Sequence, residues 1–279
     1  MKYAIFFLLC FPMIAISQTN VLSFNIRYDT SKDGINQWNN RKEKVAQLIT
    51  FHEADIIGLQ EVLKSQLDDL ENLLPSYTWI GVGRDDGKEA GEYSPILFQK
   101  NRFKLLKEGT FWLSETCDVA GSRGWDAACN RVVTWAYFKD KKQRKKFYFF
   151  NTHFDHRGVV ARRESAQLIL QKIQEIAGDN AFVLTGDFNG NPESEPYRIL
   201  TNKEDEVDLQ DAYFRSQTGH YGQLGTFSGF KALTEDDQNR IDYIFVPKKI
   251  KVLKHAILTD SWGGLFPSDH FPVLAVLKW

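Results

Sequence analysis

The polar residues with the richest chemistry in this chain stand at the ends of apolar runs. "VLSFN" ends at Asn25, "DIIGLQE" at Glu61 and "FYFFNTH" at His153. "AFVLTGDFN" delivers Asp187 and Asn189, "RIDYIFV" carries Asp242 near its start, and "PSDHFPV" sets Asp269 and His270 before the last apolar run. Each has an ordinary explanation. Asp, Asn, Gly and Pro suit any turn. His153 alone reads as a satisfied interior histidine, Asp242 beside Arg240 as an ion pair, and Asp269–His270 as a cap. Those explanations must hold separately at every strand end. One shared site explains them all, because rigid strand ends are where scaffolds present reacting groups.

The chemistry these residue types suit is metal-assisted attack on a phosphate ester. A hard divalent ion, Mg²⁺ or Mn²⁺, takes oxygen ligands, often one or two carboxylates plus water and substrate phosphate. Glu61 is the best single ligand, with Asn25 and Asp269 completing or supporting that shell. Asp187 can orient or deprotonate the attacking water. Asn189 can donate to a phosphate oxygen or hold that water. His153 and His270 can hydrogen-bond the charged non-bridging oxygens, and Asp242 suits the task of fixing the His270 tautomer and favouring its protonated form. The pattern requires no Ser or Cys nucleophile, and no zinc-type histidine cluster is evident.

The rest of the chain must supply a scaffold that brings these ends together. The chain has 279 residues, 43% hydrophobic and 25% charged, with 21 Phe, 10 Tyr and 7 Trp. That is ordinary globular composition with material for a large core. A net charge of −1 gives no global pull toward nucleic acid or anionic membrane. Lys2 precedes an apolar run over residues 3–16, and Ala15 and Ser17 are the small residues expected before a signal-peptidase cut. The expectation is a signal peptide over residues 1–17, an exported product, and a single domain over 18–279. The run is short for a membrane span, so no stable membrane insertion is expected. The export argument favours a Cys117–Cys129 disulfide over free thiols.

Strand-like runs recur: "VLSFNIR", "DIIGLQ", "YTWIGVG", "PILFQ", "FKLLKEGTFWL", "AFVLTG", "IDYIFV", "VLKHAIL" and "FPVLAVLKW". Asn39 or Asn40 can cap a helix over about residues 41–52. A second helix follows Glu61 and ends near Pro75. The longest runs over about 159–177, with Ala166, Ile169, Ile173 and Ile176 as its apolar stripe and Gly178 as its stop. "KDKKQRKK", residues 139–146, separates two β-like runs and reads as a solvated hairpin turn rather than a nucleic-acid patch. Helices cluster early and in the middle while strands often follow one another, which points to α/β layers with mixed sheets.

In this order, "LQEV", "NTHFDH", "TGDFN", "RIDYIF" and "SDHFPV" resemble the motifs of the endonuclease/exonuclease/phosphatase superfamily, the DNase I-like fold. The resemblance spans "SFNIR" to "PSDHFPV". It implies a four-layer α/β sandwich of two packed mixed β-sheets flanked by helices, with the site at one end. It implies Glu61 as metal ligand, Asp187 as water-activating acid and His153 and His270 as phosphate contacts, with Asn25, Asn189, Asp242 and Asp269 in the remaining site positions. "WNNRK", "GVGRDDGKEAGEYSPI", "FWLSET" and "GWDAACNRVVTWA" look like the exported bacterial subset near the deadenylase-like branch. Arg131 sits where that branch carries a site arginine, and a planar guanidinium suits bidentate phosphate binding, with a buried structural Arg–carboxylate pair as the alternative. Glu92 is either a second acid lining the site or a surface acid. Arg162 either faces a phosphate from the start of the long helix or is an exposed helix arginine. Phe227, Phe230, Trp262 and Phe266 either stack on a base or sugar or pack in the core.

The expected activity is hydrolysis of a phosphate ester by in-line attack of an activated water, by a monomer. A small phosphorylated substrate is favoured: a sugar phosphate, nucleotide, inositol phosphate or lipid headgroup. A nucleic-acid groove needs several phosphate contacts from Lys and Arg, and no clear basic stripe is visible. An exported nuclease is the alternative, and an inactive binding protein on the same scaffold is the alternative of another class.

Overall fold

The computed structural model describes residues 18–202, 207–234 and 236–279. The segment read as a signal peptide, residues 1–17, lies outside them. The expected four layers are present. One sheet has the order β10-β12-β13-β1-β2-β4-β3, built from Thr19–Asn25 (β1), Ile56–Gln60 (β2), Tyr77–Ile80 (β3), Ile96–Gln99 (β4), His220–Gly222 (β10), Lys251–Ile257 (β12) and Val273–Lys278 (β13). The other has the order β5-β6-β7-β8-β11-β9, built from Phe103–Trp112 (β5), Val132–Asp140 (β6), Lys145–His153 (β7), Phe182–Asp187 (β8), Leu209–Asp211 (β9) and Asp242–Pro247 (β11). Both sheets are mixed, with β1 parallel to β2 and β7 parallel to β8.

Continuous apolar runs mark strands buried on both faces, and the core divides accordingly. Val21, Ile56, Phe98, Phe138, Phe149, Val183 and Val246 fill the space between the sheets. Leu22, Phe24, Ile57 and Leu59 face the helices Trp38–Phe51 (α1) and Lys64–Leu73 (α2). Phe150, Leu184 and Phe245 face the long helix Val159–Ala177 (α3) on the other side. That helix has the predicted bounds and stops at Gly178, φ 51°. The helix α1 starts earlier than expected. A 3-10 turn over Ser31–Asn36, capped by Thr30, leads straight into it, and Gln37 takes the cap position without a side-chain bond. The lysine-rich stretch is the β6–β7 hairpin turn, as predicted.

A polar seam ties the sheets beneath the site. Asn151 on β7 accepts from Gln60 Nε2 (2.7 Å) and Thr185 Oγ1 (3.0 Å), and donates to the carbonyls of Leu59 (2.7 Å) and Pro95 (2.9 Å). Gly58 admits this seam: a Cβ there would lie 2.1 Å from Thr185 Oγ1 and 2.3 Å from Asn151 Oδ1. These buried hydrogen bonds favour one relative placement of the two sheets, while Gln60 Oε1 has no partner among the described residues.

The expected disulfide is not formed. Cys117 and Cys129 are separate half-buried thiols. Each backbone is held by its own partner: Trp112 donates to the Cys117 carbonyl (2.8 Å), and the Cys129 amide donates to Asp155 Oδ2 (3.1 Å).

Candidate active site

Strand register assembles the centre. Parallel pairing of β7 with β8 sets His153 opposite Asp187, and antiparallel pairing of β11 with β8 sets Asp242 opposite the same residue. Asp187 is therefore flanked by both on one sheet. On the other sheet, β1 beside β2 sets Asn25 opposite Gln60, so Glu61 follows at the next step. His270 arrives from the loop before β13 and forms an isolated bridge with Phe227.

The side chains interlock across the gap. Asn25 Nδ2 donates to Glu61 Oε1 (3.1 Å) and to Asp187 Oδ2 (3.1 Å), joining one sheet to the other. His270 Nδ1 donates to Asp242 Oδ2 (2.9 Å), and its Nε2 lies 3.8 Å from Asp187 Oδ2. Asn189 returns its amide N–H to Asp187 Oδ1 (2.9 Å), while its Nδ2 donates to the Phe154 carbonyl (2.9 Å) and to His153 Nε2 (3.0 Å). Ser268 donates to the Asn25 carbonyl (2.6 Å), which anchors the His270 loop to β1. Glu61 (φ 58°) and Asn189 (φ 47°) hold left-handed backbone. That conformation is uncommon for residues bearing a Cβ and persists where surroundings over-determine it, as at reactive sites.

Burial and neighbours set the charges. Burial pushes the Asp187 carboxyl up, and the Asp242 carboxylate pushes it further. Burial would lower His270, but Asp242, through charge and hydrogen bond, raises it well above the ordinary imidazole value. His153 goes the other way. Burial lowers it well below that value, and Arg131 and Arg84 lower it further. Its Nε2 accepts from Asn189, so the neutral ring carries its proton on Nδ1, which has no hydrogen-bond partner among the described residues. The two histidines were expected to act alike on phosphate oxygens. Only His270 is held as a cation.

The remaining predicted residues divide by location. Asp269 is buried at the site, its carboxylate oxygen 3.8 Å from Arg27 Nε. Glu92 lines the cavity, paired to Arg84 through two contacts of 2.8 Å. Arg131 lies buried on the same wall, 3.4 Å from Asp155 and with Nη2 3.1 Å from His156 Nδ1. Its Nη1 has no partner among the described residues. Arg162 also lines the cavity and donates to the Asp155 carbonyl (2.9 Å). Of the aromatic candidates, Phe227 borders the cavity, edge-on to His270 with centroids 5.1 Å apart. Phe266 is core, Trp262 packs on the α1 side, and Phe230 lies under Arg41. Sequence reasoning missed Arg27, Arg84 and His156, which line the same cavity of about 980 Å³. His156 closes the quoted "NTHFDH" and Arg27 closes "SFNIR", so both were in view. Arg84 pairs across a loop, which no periodicity reveals.

The donor chemistry fits a hard divalent ion. Glu61 and Asp269 present carboxylate oxygens to one place, where the Arg27 guanidinium lies 3.7 Å from Glu61 and 3.8 Å from Asp269. Burial raises the Asp269 carboxyl, the His270 cation pulls it down, the facing Glu61 raises it, and Arg27 and Arg41 lower it, with a net rise. Asp187, Asp242 and His270 also bring ligand-type atoms within 4.8 Å of one another. That trio is already joined by the Asp242–His270 hydrogen bond, so oxygen-only Glu61 and Asp269 suit Mg²⁺ or Mn²⁺ better. Cys129, Asp155 and His156 have similar spacing. There, Asp155 is consumed by the amides of Arg157, Gly158 and Cys129.

Comparison with known proteins agrees with this geometry. An endonuclease/exonuclease/phosphatase from Bacteroides vulgatus is 45% identical, with a TM-score of 0.89 over 94% of this chain and 99% of that one. A mannosyl-6-phosphatase from Bacteroides thetaiotaomicron VPI-5482 is 39% identical, with a TM-score of 0.88 over 94% of this chain and 100% of that one. Protein angel of Drosophila melanogaster is 28% identical over 219 residues, 74% of this chain. The chain spans 66%, 39% and 58% of the length of three curated relatives it matches, two mimivirus proteins and angel. The profile of the Endonuclease/Exonuclease/phosphatase family matches residues 22–270, nearly the whole described fold and every residue of the cluster around Asp187, and the chain belongs to that family.

Proposed function

We propose that the protein is a divalent-metal-dependent phosphoesterase that hydrolyses a small phosphorylated substrate, with sugar phosphates foremost. One observation carries this reading: Asp187, buried, hydrogen-bonded to Asn25 and Asn189 and flanked by one cationic and one neutral histidine, at the floor of a cavity walled by arginines. The kinship with a mannosyl-6-phosphatase supports the sugar phosphate.

Asp187 is the general base. Its raised carboxyl stands closer to neutral pH than an ordinary aspartate, which suits proton transfer from water. Asn25 and Asn189 hold its two oxygens, so the lone pair that takes the proton has a fixed direction. His270 turns Nε2 toward the same space, and Asp242 keeps it charged, so it donates to a phosphoryl oxygen as charge develops. Arg131 and the Arg84–Glu92 pair line the part of the cavity left for the remainder of the substrate, where a guanidinium donates to oxygens and a carboxylate accepts from hydroxyls. A Mg²⁺ or Mn²⁺ held by Glu61 and Asp269, with Asn25 in support, would polarise the phosphoryl oxygens.

The geometry favours small substrates over nucleic acid. The lysine-rich turn joins β6 to β7 at the end of β7 opposite His153. At a strand rise of about 3.3 Å per residue, that is about 26 Å from the site. We also propose export, from the apolar segment over residues 3–16. Among the described residues no helix is long and apolar enough to cross a membrane. A panel of mannose 6-phosphate, glucose 6-phosphate, inositol phosphates, nucleotides and single-stranded oligonucleotides, with Mg²⁺ or Mn²⁺, tests the substrate class. Phosphate release from a sugar phosphate is expected. Cleavage of oligonucleotides alone would give the nuclease reading instead.

A further inference from the structure

Arg27 was not among the residues selected from sequence, yet the fold fixes it firmly. Its backbone is left-handed, φ 59°. Its amide donates to Asn25 Oδ1 (3.0 Å), and its carbonyl accepts from Arg41 Nη2 (2.7 Å) and Gln66 Nε2 (3.0 Å). Out on the side chain, Nε and Nη2 make a fork-on-fork pair with Asp33 (3.0 and 3.1 Å), and the guanidinium carbon lies 4.3 Å from the Tyr28 ring centroid. These contacts leave Nη1 unused. It makes no hydrogen bond among the described residues, and it lies 3.7 Å from Glu61 Oε2. The side chain is 23% exposed and lines the cavity.

A guanidinium kept for structure alone would be complete with Asp33. Here Nη1 extends two further N–H groups beside Glu61, and Nε lies 3.8 Å from Asp269; these are the two carboxylates best suited to a metal. A permanent cation in that place weakens metal binding by repulsion, unless an anion rich enough in charge shares the space. A terminal phosphoryl group is such an anion, carrying about −1.5 to −2 at pH 7. A diester carries a single charge and replaces one terminal oxygen with an ester oxygen.

We propose that Arg27 reads the third terminal oxygen of a phosphomonoester: Nη1 donates to the oxygen that a diester would carry substituted, making the site selective for monoesters. This rests on the phosphoesterase reading above. Asp33 is a positioning residue, since it holds the fork that aims Nη1.

The experiment compares wild type, Arg27→Met and Asp33→Asn on p-nitrophenyl phosphate and bis-p-nitrophenyl phosphate at saturating Mn²⁺. Mn²⁺ binding to the protein without substrate is followed by electron paramagnetic resonance. Arg27→Met is expected to lower monoester kcat/KM about 10- to 100-fold and diester kcat/KM less than about threefold, the size of one charge-assisted hydrogen bond. Mn²⁺ should bind at least as tightly as in wild type. Asp33→Asn should shift the same ratio in the same direction by raising monoester KM with little change in kcat, and it carries the test if Arg27→Met does not fold. An equal loss on both esters, an unchanged ratio, or loss of Mn²⁺ binding in step with activity overturns the inference. A wild type inert toward both esters with metal present defeats the phosphoesterase reading itself. An active wild type whose ester ratio survives both substitutions defeats only the role of Arg27.

Discussion

Two walls of one cavity give the same side chain opposite charge. On one wall His270 meets Asp242 through Nδ1 and is driven up as a cation. On the other, His153 has no carboxylate on Nδ1, stands near Arg131 and Arg84, and is driven down as a neutral ring. Both are buried. Burial alone would neutralise both, so the difference is the hydrogen-bonded carboxylate. Asp187 lies between them, 3.4 Å from His153 Nε2 and 3.8 Å from His270 Nε2. On the proposed function, the comparison separates two tasks: a charged donor on one side, and on the other a neutral ring that leaves the arginines to bind.

The strongest way to break this arrangement is to remove what lies between the walls. Asp187→Asn should lower kcat about 10²- to 10⁴-fold, the usual cost of losing a general base. Steady-state rates on any accepted phosphoester check this, with unchanged metal binding as the control. Next comes the acidic wall. Asp242→Asn should cost about 100-fold in kcat, because His270 loses both its orientation and its charge. Side-chain nitrogen NMR of the metal-free protein should show the His270 ring going neutral in that variant and His153 neutral in both. A charged His153 near neutral pH would remove the contrast.

Stability against pH sharpens the same contrast, with opposite signs. His270 has a raised folded value. Its contribution is fully present below the unfolded imidazole value of about 6.5 and is lost as pH rises through the folded value. His153 has a lowered folded value, so the unfolded chain binds the extra proton and stability falls as pH drops below about 6.5. Denaturant midpoints of the metal-free protein between pH 5 and 9 should therefore show Asp242→Asn closing its gap to wild type as pH rises. His153→Gln should flatten the acid limb. Parallel curves for all three proteins would contradict both charge states. The smallest expected effect lies on the basic wall. Arg131→Gln should raise KM about tenfold with little change in kcat, since the loss of one charged hydrogen bond is felt mainly in binding.

The strand-end chemistry was legible because it depends on local pattern. Apolar runs set the strands, and the residue closing each run faces the common end. Register then brought Asp187, His153 and Asp242 side by side. The bounds of α3 were legible from its apolar stripe and Gly178, and the charge run over residues 139–146 gave the hairpin turn. Other features depend on distant partners. The Arg84–Glu92 pair spans a loop, so nothing in its spacing announces it. Arg27 turns inward through a left-handed backbone that only the folded contacts specify. The thiols of Cys117 and Cys129 sit in separately anchored segments, which an even cysteine count cannot reveal. The strands β9 and β10 are three residues each, too short for a period to register.

The most direct test is phosphate release from mannose 6-phosphate by the purified protein, with added Mg²⁺ or Mn²⁺, after chelation, and in Asp187→Asn. The account predicts turnover with metal, none after chelation, recovery on adding metal back, and a loss of at least about 100-fold in Asp187→Asn. Hydrolysis that survives chelation, or that proceeds at the wild-type rate in Asp187→Asn, would contradict it.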